Sequence, residues 1–321
     1  MSGEAVTRKR LMAVLCSRPF LTFATVALVW VVAGFASRGF GSYGHLRYLL
    51  ELAAVIGLVA AGQTFVVIAG GIDLSVAAIV TVSAVSLPLL TLDSDPTGAT
   101  AIIAVLAVTT AIGLVNGLGV ALLRVHPMIM TLAMATFLQG LLIIIAGGSA
   151  ITAQNPLVSW IGNARPAGIP AGILLWLVVG AVTLFVMHGT PLGARLFAIG
   201  ANPLAARLSG VPVNAATTIV YGISGFMSGL AGILVLGMNG QGYVGIGDPY
   251  LLASIAAVVL GGTSILGGIG TYAGTIPGSI LLVTITALIT VVNASPGWRS
   301  IIFGSLILGL LLLSGREAVR R

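Results

Sequence analysis

Long apolar runs alternate with short polar gaps from one end of the chain to the other. Ten runs approach or exceed the roughly 20 helical residues needed to cross the hydrocarbon core of a bilayer. They fall at residues 19–36, 46–69, 74–90, 98–122, 128–146, 168–187, 215–238, 250–266, 272–292 and 298–313. The third and eighth are short and bounded by glycine. The pattern predicts an all-α polytopic membrane protein of about ten transmembrane helices. Residues 19–313 form a single membrane domain, flanked by tails at 1–18 and 314–321. One gap differs from the rest. Residues 189–214, GTPLGARLFAIGANPLAARLSGVPVN, form a polar island between two long runs. Within it Asn202 suits a helix N-cap, Pro203 the first helical position and Gly210 the place just past the end, so a short helix is expected over about 203–209. A water-side segment in a chain otherwise dissolved in lipid is placed to touch a partner.

Composition agrees. The 321 residues are 58% hydrophobic and 7% charged, where a soluble domain carries about a quarter charged residues. The net charge of +7 does not imply a nucleic-acid partner, because the basic residues punctuate the gaps between apolar runs and do not cluster. They set topology instead. With the N-terminus in the cytoplasm, Arg8, Lys9, Arg10, Arg18, Arg124, Arg195, Arg207, Arg316, Arg320 and Arg321 lie inside, and Arg38, Arg47, Arg165 and Arg299 outside. The acidic stretch at 93–95 then falls outside, the island inside, and both termini are cytoplasmic. The start of the chain is basic and then apolar, but its run is too long for a signal peptide, so it is expected to be a cytoplasmic tail. One cysteine, Cys16, allows no internal disulfide and no cysteine-based metal site.

Two glycine-rich interruptions carry the candidate chemistry. In the first, a helix runs through Gln63 into Gly70-Gly71-Ile72-Asp73-Leu74-Ser75. Gly70 and Gly71 permit backbone conformations that end or break a helix. Asp73 is then either a cap for a helix starting at Leu74, at a membrane-surface turn, or a group in contact with solute. The second, Gly261-Gly262-Thr263-Ser264 followed by Gly267-Gly268, resembles the first in design. Interrupted spans in matching halves suggest an inverted repeat with a transport path between them. No lysine follows these glycines, and Lys9 is the only lysine, so the chain has no Walker A site of its own. Asn116, Gln139 and Asn239 either line a hydrophilic path or hydrogen-bond between helices. Glu51, four residues after Arg47, is placed to pair with it. Glycine-containing runs at 113–119 and 224–232 suit close helix packing. His45, His126 and His188 have no ligand spacing, and no nucleophile–base set appears, so an enzyme is not expected.

Gly62-Gln63-Thr64 followed by Gly70-Gly71-Ile72-Asp73-Leu74-Ser75 resembles the signature of the membrane permease subunits of ribose-, xylose- and galactofuranose-type ABC sugar importers. The resemblance continues through Gly113-Leu114-Val115-Asn116-Gly117, the PMIMTL run at 127–132, and Gly147-Gly148-Ser149. It is strongest in Ala198-Ile199-Gly200-Ala201-Asn202, in Ala205-Ala206-Arg207-Leu208-Ser209-Gly210, and from Ile255 to Ser264. The chain departs at Ala77-Ala78, at Gln139 and at Gly247-Asp248-Pro249-Tyr250, so the resemblance names the importer class and not the sugar.

The resemblance implies a permease of the bacterial inner membrane, paired with a second permease subunit that is either a copy of this chain (a homodimer) or a paralogue. Its partners are a cytoplasmic ABC ATPase, an extracytoplasmic sugar-binding protein and membrane lipid. No cofactor is implied in this chain. The island's helix becomes the element that docks on the ATPase, through Asn202, Pro203, Leu204, Ala206, Arg207 and Leu208. The path and its gates are expected at Gln63, Gly70, Gly71, Asp73, Ser75, Asn116, Gln139, Gly261, Gly262 and Thr263. The alternative is a secondary transporter driven by an ion gradient, for which Asp73 is the one serious intramembrane carboxylate.

Overall fold

The computed structural model describes residues 18–36, 39–91, 98–153, 155–291, 295, 297–298, 300–305 and 308–309. The tail expectations, Cys16, the acidic stretch at 93–95 and part of the tenth span lie outside them, as do Arg8, Lys9, Arg10, Arg38, Arg299, Arg316, Arg320 and Arg321. The described chain is mostly helical. Its first five helices are α1 (Arg18–Ala36), α2 (Tyr43–Ile68), α3 (Val76–Leu90), α4 (Ala99–Ala121) and α5 (Pro127–Ala146). Next come strand β1 (Ile151–Thr152), α6 (Pro156–Asn163), α7 (Ala171–Gly189), α8 (Pro191–Ala201), α9 (Pro203–Leu208) and α10 (Val213–Asn239). Strand β2 (Gln241–Gly242), α11 (Pro249–Leu260) and α12 (Tyr272–Val291) complete the order. Among the described residues, α2, α4, α5, α7, α10 and α12 are the six helices long and apolar enough to cross a membrane.

Two helices form the centre. α2 is apolar all round and buried continuously from Ala53 to Ile68, packed by α7, α10, α11 and α12. α10, the longest, packs on α2, α3, α4 and α6. The glycines of both runs allow close packing across the α4–α10 seam, where the runs meet at Gly113 and Gly225. A Cβ at Gly113 would strike the Tyr221 carbonyl, and one at Gly117 would come within 2.6 Å of the Thr218 Cα. By contrast α5 buries one stripe, Thr131, Ala135, Leu138, Leu142 and Ala146, at helical spacing. Its other face exposes Ile129, Leu132, Phe137 and Ile144, as a lipid-facing helix does.

One end of the bundle gathers several polar contacts. Glu51 lies 4.0 Å from Arg47, the expected pair, and also 3.8 Å from Arg165. β1 pairs antiparallel with β2, Ile151 opposite Gly242. Asn155 caps α6 through Oδ1 and donates from Nδ2 to the Gly98 carbonyl at 3.1 Å. These residues lie in gaps, or at span ends, on the side expected to face outward.

α3 and α11 are too short to cross. The expected eighth span, 250–266, is overturned: α11 stops at Leu260 after 12 residues, about 18 Å of helix, because Gly261 and Gly262 follow. Gly262 takes φ +88°, a conformation few residues other than glycine adopt. The start of α11 is also deep. Gly242 packs against the Ala84 carbonyl, whereas Gly247 packs against the Ala77 carbonyl and donates its N–H to Thr81 Oγ1 at 3.1 Å. Between those two contacts the chain descends seven residues of α3, about 10 Å. Thus residues 242–248 re-enter the bundle from the outward end, and residues 69–75 do so from the other. Two half-helices, α3 and α11, begin side by side at depth and run to opposite ends. The first glycine break is therefore matched by the re-entrant segment 242–248, and not by the second glycine-rich run, with which the sequence pattern paired it.

Candidate functional site

The polar island folds as two helices, of which the sequence pattern expected one. α9 is capped as expected: Asn202 Oδ1 accepts from the N–H groups of Leu204 and Ala205, both at 3.0 Å. Pro203 takes the first helical position, and Gly210 follows the end with φ +83°. Leu204 and Leu208, one turn apart, are 68% and 82% exposed. They leave two large apolar side chains uncovered on one face of a polar segment. Arg207 is exposed beside them, its Nη2 donating to Asn214 Oδ1 at 3.1 Å. Ala206 points the other way into the core, so of the expected docking residues it cannot reach a partner. The additional helix, α8, buries Gly193, Leu196 and Ile199 and anchors the island to the bundle.

The end of α8 meets both glycine breaks. The Gly268 N–H donates to the Ile68 carbonyl at 2.9 Å, joining the second break to the end of α2. A Cβ at Gly200 would fall on the Ile68 carbonyl and the Gly268 nitrogen. A Cβ at Gly267 would lie 3.0 Å from the Gly70 Cα and 3.1 Å from the Gly200 Cα. Only glycine allows three backbones to converge this closely. A displacement of α8 and α9 thus bears directly on Gly70 and on the 261–271 segment.

Deeper in the bundle the first break holds a closed polar network. Asp73 is fully buried, which excludes the surface turn considered from sequence. It does not cap the next helix either. α3 begins at Val76 with Ser75 as N-cap, two residues later than expected, because the Asp73 carboxylate is engaged elsewhere. Its Oδ1 accepts from the Ser75 N–H at 2.9 Å and the Ser75 hydroxyl at 2.6 Å, and its Oδ2 from the Ser224 hydroxyl at 2.7 Å. Asn116 Nδ2 donates to Ser75 Oγ at 2.8 Å. Three donors on one carboxylate offset much of the cost of burying it. Ser224 lies eleven residues into α10, about 16 Å from its start, so the network sits at depth. Asn116 therefore bonds between helices, one of its two expected roles.

The two break glycines do different work. Gly70 takes φ +84° with open space around it. Gly71 is not in the left-handed region. It is needed for room, since a Cβ there would come 2.5 Å from Tyr221 Oη and 3.2 Å from Val66 Cγ1. Gln63, on α2, is fully buried with neither amide atom hydrogen-bonded, and the buried Thr263 hydroxyl likewise has no partner. Gly261 packs against Gly274 and Thr275 of α12, where a Cβ would reach 2.5 Å from the Thr275 nitrogen.

Gln139 stands apart. It is exposed on the outer face of α5 and joins no other candidate. Asn239 bonds back to the Val235 carbonyl near the end of α10. Sequence reasoning missed Ser224 and Tyr221 as members of the site, because a serine or tyrosine in an apolar run carries no local signal. It also missed α6, although Asn155-Pro156 repeats the Asn202-Pro203 start signal.

A helical bundle with two re-entrant half-helices and a buried polar core is the architecture expected of a membrane transport permease. A family profile described as "Branched-chain amino acid transport system / permease component" matches residues 46–311, and the chain belongs to this family. Ribose import permease protein RbsC of Escherichia coli (strain K12) is 32% identical over 299 residues, 92% of each chain. Ribose import permease protein RbsC of Bacillus subtilis (strain 168) is 34% identical over 277 residues, 85% of each. L-arabinose transport system permease protein AraH of Escherichia coli (strain K12) is 31% identical over 302 residues, 89% of this chain and 87% of the relative. No solved structure matches the chain. The resemblance to sugar-importer permeases drawn from the residue motifs is thereby borne out. The protein is an inner-membrane permease and not an enzyme.

Proposed function

We propose that this chain is the permease subunit of an ATP-driven ABC importer and forms the translocation path for a monosaccharide. The observation that carries the reading is similarity along 92% of the chain to a ribose import permease. In this reading the chain crosses the membrane ten times, twice by a re-entrant segment joined to a half-helix (α3 and α11), so that both termini are cytoplasmic and residues 19–313 form one membrane domain. Two copies pair, an extracytoplasmic binding protein delivers the sugar, and a cytoplasmic ATPase docks on α9. Leu204 and Leu208 enter a groove on the ATPase, and Arg207 faces an acid there. Nucleotide-driven closure then moves α8 and α9, and the glycine junction carries that motion to both breaks. Gln63, Gly70, Gly71, Asp73, Ser75, Asn116, Gly261, Gly262 and Thr263 act as path or gating residues around these breaks. Gln139 serves from the outer face of α5, where a second subunit covers it.

The test is reconstitution in proteoliposomes with and without the ATPase, measuring uptake of ribose and L-arabinose. Uptake is expected only with ATPase, binding protein and ATP. Uptake by the permease alone under a proton or sodium gradient would favour the secondary-transport alternative. The engagement of Asp73 by Ser75 and Ser224 speaks against Asp73 as the coupling carboxylate of that alternative, since such a group must be free to exchange its ion. Arg207→Glu is expected to abolish co-purification with the ATPase while the permease remains inserted.

A further inference from the structure

The re-entrant segment 242–248 carries a second carboxylate at depth, Asp248, and its setting is the reverse of that of Asp73. Gly247, its neighbour, is fixed beside Ala77 and Thr81 of α3, nine to thirteen residues from the outward end of that helix at Leu90. That distance is about 14–20 Å along the helix, comparable to half the thickness of a bilayer's hydrocarbon core. Asp248 is nonetheless exposed, and among the described residues it has no cationic partner and makes no side-chain cap for α11. Gly245, at φ +90°, bends the segment so that its backbone lies against the carboxylate; a Cβ there would stand 3.1 Å from Oδ2. The segment is therefore built to hold this side chain in place without neutralising it.

An exposed, unpaired carboxylate at this depth has few environments open to it. Facing hydrocarbon is far costlier than facing water, and ionisable groups at membrane depth face a bundle interior or an aqueous cavity. The interior is excluded by its exposure. The same segment exposes the ring of Tyr243 and the amide of Gln241 above it. An aromatic face and hydroxyl-accepting groups along one descending strand of chain match a hydroxyl-rich, uncharged solute. A carboxylate accepts hydroxyl hydrogen bonds about twice as strong as a neutral acceptor does.

We propose that Asp248 lines the aqueous path and contacts the hydroxyl groups of the passing solute. This rests on the importer reading for the identity of the solute but not for the water-filled setting. The test uses the importer complex in proteoliposomes, with Cys16→Ser as background. First, Asp248→Cys is treated from the outward side with a charged, membrane-impermeant thiol reagent, with and without saturating ribose or L-arabinose. Labelling is expected, with protection by the transported sugar. Absence of labelling in every nucleotide state overturns the proposal, and so does labelling that a transported sugar leaves unchanged. Second, Asp248→Asn is expected to raise the sugar concentration for half-maximal uptake about tenfold, the loss of one charged hydrogen bond. Assembly with the ATPase and thermal stability should not change, since the side chain has no hydrogen-bond or ion-pair partner among the described residues. An unchanged uptake curve also counts against the contact. If wild-type protein takes up neither sugar, the sugar reading fails, and the labelling result alone decides whether Asp248 lines an aqueous path.

Discussion

Ser224, about 16 Å into α10, donates its hydroxyl to Asp73 across the first glycine break at 2.7 Å. This bond ties a break in the membrane to the longest helix of the bundle, whose start lies next to the docking segment. Ser224→Ala removes one of three donors to a buried carboxylate, and a hydrogen bond to a charged group is worth about 1.5–3 kcal/mol. A lower Tm in detergent is expected. Asp73→Ala orphans the Ser75 N–H and the Ser75 and Ser224 hydroxyls together, so its loss should be larger than that of Ser224→Ala. Equal Tm values for the two variants would show that the carboxylate is not the centre of the network.

Gly71 and Tyr221 allow a sharper test, because the hydroxyl that would clash with a Cβ at 71 has no hydrogen bond to lose. Gly71→Ala alone is expected to destabilise by about 1–3 kcal/mol through overpacking. Tyr221→Phe alone should cost little, and it should rescue Gly71→Ala in the double variant. Gly70→Ala has open space around it and φ +84°, so its cost is backbone strain and Tyr221→Phe should not relieve it. A double-mutant cycle on thermal stability separates the two mechanisms.

Gly200 tests transmission between docking helix and breaks. Its backbone is not in the left-handed region, so the cost of Gly200→Ala is a clash of the new Cβ with the hydrogen-bonded Ile68 carbonyl and Gly268 nitrogen, and not backbone strain. Overpacking typically costs about 1–3 kcal/mol and more where backbone must move, as it must here. ATP hydrolysis and co-purification with the ATPase are expected to persist while sugar uptake falls. Uptake that keeps pace with hydrolysis in this variant would show that the junction does not transmit motion.

Much of this was legible beforehand, for reasons that particular residues make plain. The Asn202 cap, Pro203 and Gly210 act through local backbone chemistry, which a short stretch of sequence contains in full. The close seam between α4 and α10 was visible as two glycine-containing runs, although nothing in either run named the other as partner. The re-entry at 242–248 was hidden. Its cause is long-range, the packing of Gly242 and Gly247 on α3 carbonyls more than 150 residues earlier, and a window of apolar residues from 250 looks like an ordinary span. Of the two roles open to Asp73, the cap failed for the same reason: a cap is a local possibility, while acceptance from Ser224 depends on a helix 151 positions away.

Gln63 closes the set of predictions because its fold cost and its use in transport have opposite signs. Its amide is fully buried on α2 and makes no hydrogen bond, an arrangement that costs about 1–3 kcal/mol in a folded protein. Gln63→Met keeps the volume and removes the orphaned polar atoms, so Tm is expected to stay level or rise. If the amide is held in reserve for a state in which the break opens, uptake in the reconstituted importer should fall even as stability improves. Measuring both on one preparation distinguishes the cases: a rise in Tm with undiminished uptake would remove Gln63 from the path, and a loss of both would assign it to packing.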